Sequence, residues 1–146
     1  MWLVLQQRLW TSDRRFRHGL HDASSVCFLC DQEEDSVNHI MLQCVYSRQV
    51  WFQCFRWAKI DMRMMPSPTD ILQDWWPTVR KRITKAYRKG FDSLVLLICW
   101  SIWKQRNGRV FGGYGIWKEA DLSMKIHQEL QLWLATGARS VQHLCE

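Results

Sequence analysis

Three cysteines and one histidine near the start of the chain, Cys27, Cys30, His39 and Cys44, follow the pattern C-x2-C-x8-H-x4-C. Zinc prefers thiolate and imidazole ligands in a tetrahedral shell, and structural sites often combine three Cys with one His. The turn from Cys27 to Cys30 is short enough for both thiolates to reach one ion. Because such a closure orders a segment that has little core of its own, the spacing predicts a structural zinc site.

Other interpretations of these residues stay open at this point. Buried cysteines often behave as small hydrophobic residues, and a lone histidine is commonly a surface or core residue. A C-x2-C pair also occurs in redox proteins, where it normally opens a helix after a strand, and no such strand is predicted here. If one of the four ligands is misassigned, the candidates to replace it are His18, His21 and Cys54, called the replacement ligands below. Cys99 and Cys145 are expected to be ordinary core or surface thiols.

A family resemblance rests on the same residues and on two flanking motifs. Residues 2–15 read WLVLQQRLWTSDRR and residues 100–111 read WSIWKQRNGRVF. Between them lie Gly19-Leu20, the C-x2-C pair, Asp35-Ser36, His39-Ile40, Cys44 and Val50-Trp51. In their order and residue types, these segments resemble the zinc-binding domain at the C-terminal end of plant LINE-type reverse transcriptases.

The resemblance implies one zinc ion held by the Cys-Cys-His-Cys set, and a non-catalytic role in seating template RNA or target DNA. It also implies other retroelement proteins as partners and no membrane. Members of the family carry a polymerase in front of this domain. Because the present sequence starts at Met1-Trp2, a truncated or fragmentary retroelement copy is expected.

Positive charge is concentrated in two short segments of a chain with a net charge of +6 and a pI near 9.2. Basic clusters attract phosphate backbones, and their affinity falls with salt because counterions are released. Phe28 and Trp51, close to the predicted ligands, are candidates for stacking on unpaired bases. The predicted nucleic-acid-binding residues are Arg14, Arg15 and Arg17 in the first cluster, and Arg80, Lys81, Arg82, Lys85, Arg88 and Lys89 in the second.

Three classes of function compete. A zinc-stabilised nucleic-acid-binding module is favoured, and a structural or protein-interaction helical domain with a merely solvated basic face is the alternative. An enzyme is disfavoured, because the sequence lacks the Asp-Asp pair of a polymerase, a Gly-x-Ser-x-Gly elbow and a phosphate-binding Gly-rich loop. One continuous basic surface beside the zinc would favour nucleic acid, whereas clusters on opposite sides would favour the alternative.

Helical periodicity and capping signals predict a mainly α fold, a small helical domain with the zinc knuckle near its N-terminal end. The predicted organisation is a reverse-transcriptase-type zinc-binding module over residues 1–59, a linker over 60–68, and a helical C-terminal extension over 69–146 packed on the module. Most of the ten tryptophans are expected to pack in the core, since each ring buries a large area.

Individual helices are predicted from local signals. Thr11 caps a short helix that ends near Gly19, and Ser36 caps a helix that presents His39. The segment Ser67-Pro68-Thr69-Asp70 predicts a helix start, and Pro77 its end. Residues 78–107 predict one helix or two, with Gly90 as the weak point. The last helix is predicted to share an apolar side formed by Ala120, Met124, Ile126, His127, Leu130 and Leu134.

The location is predicted to be intracellular, in the nucleus or cytoplasm. The apolar run Trp2–Leu5 is too short for a secretion signal, and the stretch Ser93–Trp103 is shorter than the roughly 20 residues that cross a bilayer. This stretch is therefore expected to form a buried core helix. Six cysteines without a secretion signal predict free or metal-bound thiols in a reducing compartment.

Overall fold

Helices make up most of the chain, for which a computed structural model describes residues 9–19, 25–113, 115–139 and 142. Within those ranges no β-strand occurs, and Val26 and Glu34 form an isolated bridge. The predicted mainly α class is confirmed. The α-helices of the described ranges are α1 (Ser12–Arg17), α2 (Val45–Trp57), α3 (Leu72–Arg82), α4 (Arg88–Phe111) and α5 (Glu119–Ala135), and shorter helical turns span His39–Gln43, Met62–Met64 and Lys85–Tyr87.

Helix α4 contributes the largest set of buried side chains, including Leu94, Ile98 and Ile102. The predicted core helix around Ser93–Trp103 is therefore confirmed. Against α4 pack the buried faces of α2, α3 and α5. No helix in the described ranges is both long enough and apolar enough to span a lipid bilayer.

Four aromatic rings join α2, α3 and α4. The Trp51 and Trp75 ring centroids lie 5.1 Å apart, and the Phe91 centroid lies 6.3 Å from that of Phe55 and 6.4 Å from that of Trp75. These separations fall in the range of favourable edge-to-face and tilted ring contacts. Each ring is buried, so the cluster fixes the three helices relative to one another.

The prediction that most tryptophans pack in the core is confirmed for the described residues. Trp51 and Trp75 are buried, and five more are partly buried against the core: Trp57, Trp76, Trp103, Trp117 and Trp133. Trp10 and Trp100 are more than half exposed, so core packing is wrong for these two. Trp2 lies outside the described residues.

The short helix α1 is bounded as the sequence predicts. It begins after Thr11, and Gly19 follows its end with φ +82°, a left-handed conformation that glycine adopts without strain. In α5 the buried side chains are Leu122, Ser123, Ile126 and Leu130, whereas Ala120 and Met124 are exposed. The predicted apolar side is therefore confirmed at Ile126 and Leu130 and wrong at Ala120 and Met124, while Leu122 and Ser123 are buried instead.

Helix α3 begins and ends later than predicted. Ser67 N–H donates to the Asp70 carboxylate at 2.7 Å and closes a turn, and the helix starts only at Leu72. Pro77 lies inside α3 instead of ending it. Buried Trp75 and Val79 anchor the helix on both sides of Pro77, and this packing outweighs the backbone hydrogen bond that proline cannot make.

The break before α4 falls at Ile83–Thr84, between Arg82 and the turn Lys85–Tyr87, and not at Gly90, which is buried inside α4. Arg88 Nε donates to the carbonyl oxygen of Ile83 at 3.0 Å and closes the end of α3. The predicted linker, residues 60–68, includes the turn Met62–Met64, and the division into module, linker and extension stays a prediction.

Replacing Pro77 with Ala should stabilise the protein. Alanine restores the backbone N–H and removes the ring from the helix interior, where proline is about 3 kcal/mol worse than alanine. Since α3 has already adapted to Pro77, the expected gain in the free energy of unfolding is about 1 kcal/mol, measured by urea denaturation. The neighbouring exposed position Thr78→Ala is the control, with an expected change within about 0.5 kcal/mol. A Pro77→Ala variant less stable than the wild type would show that Pro77 does not destabilise α3.

Candidate metal centre

The first two cysteines lie in a tight loop held by backbone hydrogen bonds. Cys27 N–H donates to the Glu33 carbonyl at 2.7 Å, and Asp35 N–H donates to the Ser25 carbonyl at 2.8 Å. At the tip of the loop, Asp31 N–H donates to the Cys27 carbonyl at 2.9 Å, and Asp31 has φ +56°. This turn lets both side chains of the C-x2-C pair point to one place.

The other two ligands lie at the two ends of a π-helical turn, His39–Gln43. His39 is its first residue, and Cys44 follows its last. Cys44 N–H donates to the His39 carbonyl at 2.7 Å, five residues back. In an ordinary α-helix, residues five apart are rotated by about 140° and face away from each other. The wider π turn brings them back to one side. The sequence predicts a helix presenting His39, and the Ser36 hydroxyl accepts from His39 N–H at 3.2 Å as expected, but the π geometry carries no sequence signal.

The ligand atoms of the four side chains all lie within 4.8 Å of one another. Cys27 Sγ is 3.9 Å from Cys44 Sγ, and Cys30 Sγ is 3.3 Å from His39 Nε2. A tetrahedral zinc ion with bonds of about 2.3 Å to sulfur and about 2.0 Å to nitrogen requires a sulfur–sulfur separation of about 3.8 Å and a sulfur–nitrogen separation of about 3.5 Å. The donor set and its spacing therefore fit zinc.

Burial and hydrogen bonding prepare the thiols for metal binding. Cys27 and Cys44 are fully buried, His39 is 7% exposed and Cys30 is partly exposed. The hydrogen bond with Cys44 is the main cause that lowers the pKa of Cys27 to about 4. The same hydrogen bond raises the pKa of Cys44. Zinc, when bound, requires both thiols to lose their protons.

The replacement ligands do not reach the site. Cys54 is buried beside Ser123, with 3.7 Å between Sγ and Oγ, and burial raises its pKa to about 12. His18 instead contacts the Trp10 ring. Burial likewise raises the pKa of Cys99 to about 12, in agreement with its expected role as a core thiol. His21 and Cys145 lie outside the described residues.

A buried ion pair joins the metal-binding segment to α4. Asp35 is fully buried, and its carboxylate accepts from the guanidinium of Arg106, which is 1% exposed. The same carboxylate accepts from Ser12 N–H at 2.8 Å. Sequence reasoning aligned Asp35 and Arg106 with two family motifs but did not pair them. Their only signal was that each matches a position in one of the family motifs.

A second arginine of α4 supports the backbone of the knuckle. Arg109 Nη1 lies 3.4 Å from the Phe28 carbonyl and 3.3 Å from the Leu29 carbonyl, which accept from it. Its Nη2 donates to the Trp117 carbonyl at 3.2 Å. The loop between the two N-terminal ligands is therefore held by a helix some eighty residues away in the sequence.

Four protein ligands in tetrahedral spacing leave no open position for an activated water, and this defines a structural zinc-binding domain. Residues 1–51 match the family described as zinc-binding in reverse transcriptase. The match covers about a third of the chain and supports a zinc-binding domain of the reverse-transcriptase type, as the motifs indicate. No curated protein and no solved structure matches the chain.

The two basic clusters lie at opposite ends of α4. The first, on α1, adjoins the knuckle, because α1 contacts Asp35. The second surrounds the N-terminal end of α4, and from Lys89 to Arg106 the helix rises by about 25 Å. This separation argues against one continuous basic surface beside the metal site.

Two cations of the second cluster have internal partners. Arg80 pairs with Asp92 at 2.8 Å, and Arg88 donates to the Ile83 carbonyl. The exposed members are Lys81, Arg82, Lys85 and Lys89.

Two rings, Phe28 and Trp51, were predicted to stack on bases, and the prediction is wrong for Trp51. It is fully buried, and its indole N–H donates to the Met41 carbonyl at 2.7 Å. Phe28 is partly exposed, with the Arg106 guanidinium 5.5 Å from its ring centroid.

Purified protein should contain one zinc ion per chain, and the Cys27→Ser variant should lose it. Serine cannot supply the thiolate, and the other three side chains alone leave the tetrahedral shell open. Metal analysis by mass spectrometry measures the content. Cys54→Ser removes a buried thiol outside the site and should keep its zinc. Full zinc in the Cys27→Ser variant would disprove the assignment.

Replacing Arg106 with Met should destabilise the protein by about 3–5 kcal/mol, because Asp35 is left buried without its counter-charge. Zinc should also be released faster to a chelator, since the knuckle loses its anchor on α4. Chemical denaturation and zinc release to a coloured chelator measure the two effects. Arg17→Met is the control, because it removes an exposed pair with Asp13 worth at most about 1 kcal/mol. Similar destabilisation of both variants would argue against a special role for the buried pair.

Proposed function

We propose that this chain is a zinc-stabilised, non-catalytic nucleic-acid-binding module of retroelement origin, which binds through α1. The observation that supports it is the attachment of α1 to the zinc knuckle. Ser12 N–H donates to the Asp35 carboxylate at 2.8 Å, and Asp13 N–H donates to the Asp35 carbonyl at 3.3 Å. Because Asp35 lies between the second and third metal ligands, a metal that orders the knuckle also fixes the arginines of α1.

The arginines of α1 are placed to contact phosphates. The Arg17 side chain is 69% exposed, and Arg14 and Arg15 are half-buried. The ion pair of Arg17 with Asp13 spans 2.8 Å, but an exposed pair of this kind is worth little and leaves the guanidinium accessible. Phosphate contacts of this type bind RNA or DNA with low sequence specificity.

The second basic cluster plays a smaller part in this proposal. Its exposed cations, Lys81, Arg82, Lys85 and Lys89, lie at or before the N-terminal end of α4, and Lys89 is about 25 Å along this helix from Arg106. Arg80 and Arg88 form hydrogen bonds within the fold. A long nucleic acid that follows α4 would reach them, whereas a short one would not.

The alternative function is a structural or protein-interaction domain with no nucleic-acid binding. The separation of the two basic clusters favours it, because a dedicated nucleic-acid interface usually concentrates its cations on one face. The two proposals differ in whether neutralising α1 changes nucleic-acid affinity.

Neutralising Arg14, Arg15 and Arg17 together with Gln should weaken nucleic-acid binding and flatten its salt dependence. The slope of log affinity against log salt should fall by about one unit for each phosphate that the variant no longer binds. Fluorescence anisotropy with single-stranded RNA and duplex DNA at several salt concentrations measures both quantities. A parallel variant neutralises the exposed members of the second cluster and should show a smaller effect on short ligands.

The control variant neutralises three exposed arginines elsewhere, Arg56, Arg63 and Arg139, so that the net charge changes by the same amount. Zinc content and circular dichroism establish that each variant is folded. If the wild type and the α1 variant have equal nucleic-acid affinity and equal salt slope, the proposed function is rejected in favour of the structural or protein-interaction alternative. Loss of binding on zinc removal by a chelator would add support, since α1 depends on the knuckle.

A further inference from the structure

We infer that Trp10 is a stacking platform for an unpaired base, so that the preferred ligand of α1 is a single-stranded nucleic acid. This inference rests on the proposed function and specifies its ligand. It is carried by the exposure of one large ring, its neighbours and the positive charge around it.

The Trp10 ring is held in place although it faces solvent. Its residue is 52% exposed. The guanidinium carbon of Arg14 lies 5.3 Å from the ring centroid, and the His18 ring meets it edge-on with centroids 5.5 Å apart. Arg14 and His18 are one helical turn apart and so lie on the same side of α1. The ring is therefore oriented before any ligand arrives, which lowers the entropy cost of binding.

The residues around Trp10 also favour one kind of ligand, an unpaired base with flanking phosphates. The exposed indole lies beside the Arg14 guanidinium, on a segment that also carries Arg15 and Arg17, so an aromatic surface adjoins positive charge. Aromatic stacking needs the face of a base, and a duplex hides these faces, whereas a single strand exposes them. The arginines attract the adjoining phosphates, so one base on Trp10 and the flanking backbone on α1 can be bound together.

Another exposed tryptophan provides an internal comparison. Trp100 is 56% exposed, and the Lys104 ammonium lies 5.8 Å from its ring centroid. Its exposure and cation neighbour resemble those of Trp10, but it belongs to α4 and has no arginine cluster such as the one on α1. Trp100 is thus the matched control for a test of stacking.

The experiment compares Trp10→Ala, Trp10→Phe and Trp100→Ala with the wild type, using zinc-loaded full-length chain. The ligands are single-stranded RNA, single-stranded DNA, a duplex of the same length, and a single strand of that length that lacks bases. Trp10→Ala should weaken binding to both base-containing single strands by about tenfold or more. Trp10→Phe should recover part of this affinity, because phenylalanine also stacks.

The duplex and the baseless strand report phosphate contacts alone. Their affinities should be unchanged in Trp10→Ala, and the salt slope for every ligand should stay that of the wild type. Trp100→Ala should bind all four ligands as the wild type does. Equal weakening by Trp10→Ala for the duplex and the single strands, or no weakening at all, would overturn the inference.

The two proposals fail in different ways. If the wild type shows no salt-dependent binding to any ligand, the proposed function fails. If it binds with a salt slope that depends on the α1 arginines, but Trp10→Ala binds single strands normally, only the stacking platform fails. If Trp10→Ala loses zinc or helix content, the test of stacking uses the Trp10→Phe variant instead. If that variant binds base-containing single strands no more tightly than the baseless strand, stacking is refuted.

Discussion

The buried ion pair between Asp35 and Arg106 holds three parts of the fold in place. Both side chains are almost completely removed from water, a costly arrangement that persists only when each charge finds its counter-charge and further hydrogen bonds. Ser12 N–H supplies one of these bonds. One carboxylate therefore connects α1, the metal-binding segment and α4, and the removal of either charged side chain would leave the other charge buried alone.

Zinc and the ion pair act on the same small segment. The residues from Val26 to Asp35 form a loop with one isolated bridge, and such a loop has too little apolar surface to fold alone. The metal closes it from inside through the four ligands. Arg106 and Arg109 hold it from outside through the Asp35 carboxylate and the backbone carbonyls of Phe28 and Leu29. The match to a known zinc-binding family ends at residue 51, yet the side chains that support the loop come from a helix well beyond it.

The positive charge of the chain has two separate uses. Arg106, Arg109, Arg80 and Arg88 bind carboxylates or carbonyls inside the fold, and arginine suits this purpose because its planar fork makes several directed hydrogen bonds. Of the other cations in the two clusters, Arg14 and Arg15 are half-buried and the rest are exposed. A count of basic residues along the sequence does not separate the arginines that bind within the fold from the accessible cations. Only the accessible cations are available to attract phosphate.

Local patterns in the sequence were enough to identify the metal ligands, the helical class and the bounds of α1, because ligand spacing, capping residues and glycine stops act within a few residues. They also indicated that α4 is buried, since its apolar run is long. Other features follow from packing in three dimensions. Trp75 and Val79 carry α3 through Pro77, and a π turn, invisible in the residue pattern, brings His39 and Cys44 to one side. The burial of Trp51, the exposure of Trp10 and the pairing of Asp35 with Arg106 depend on residues far apart in the chain, and local patterns hold no information about such distances.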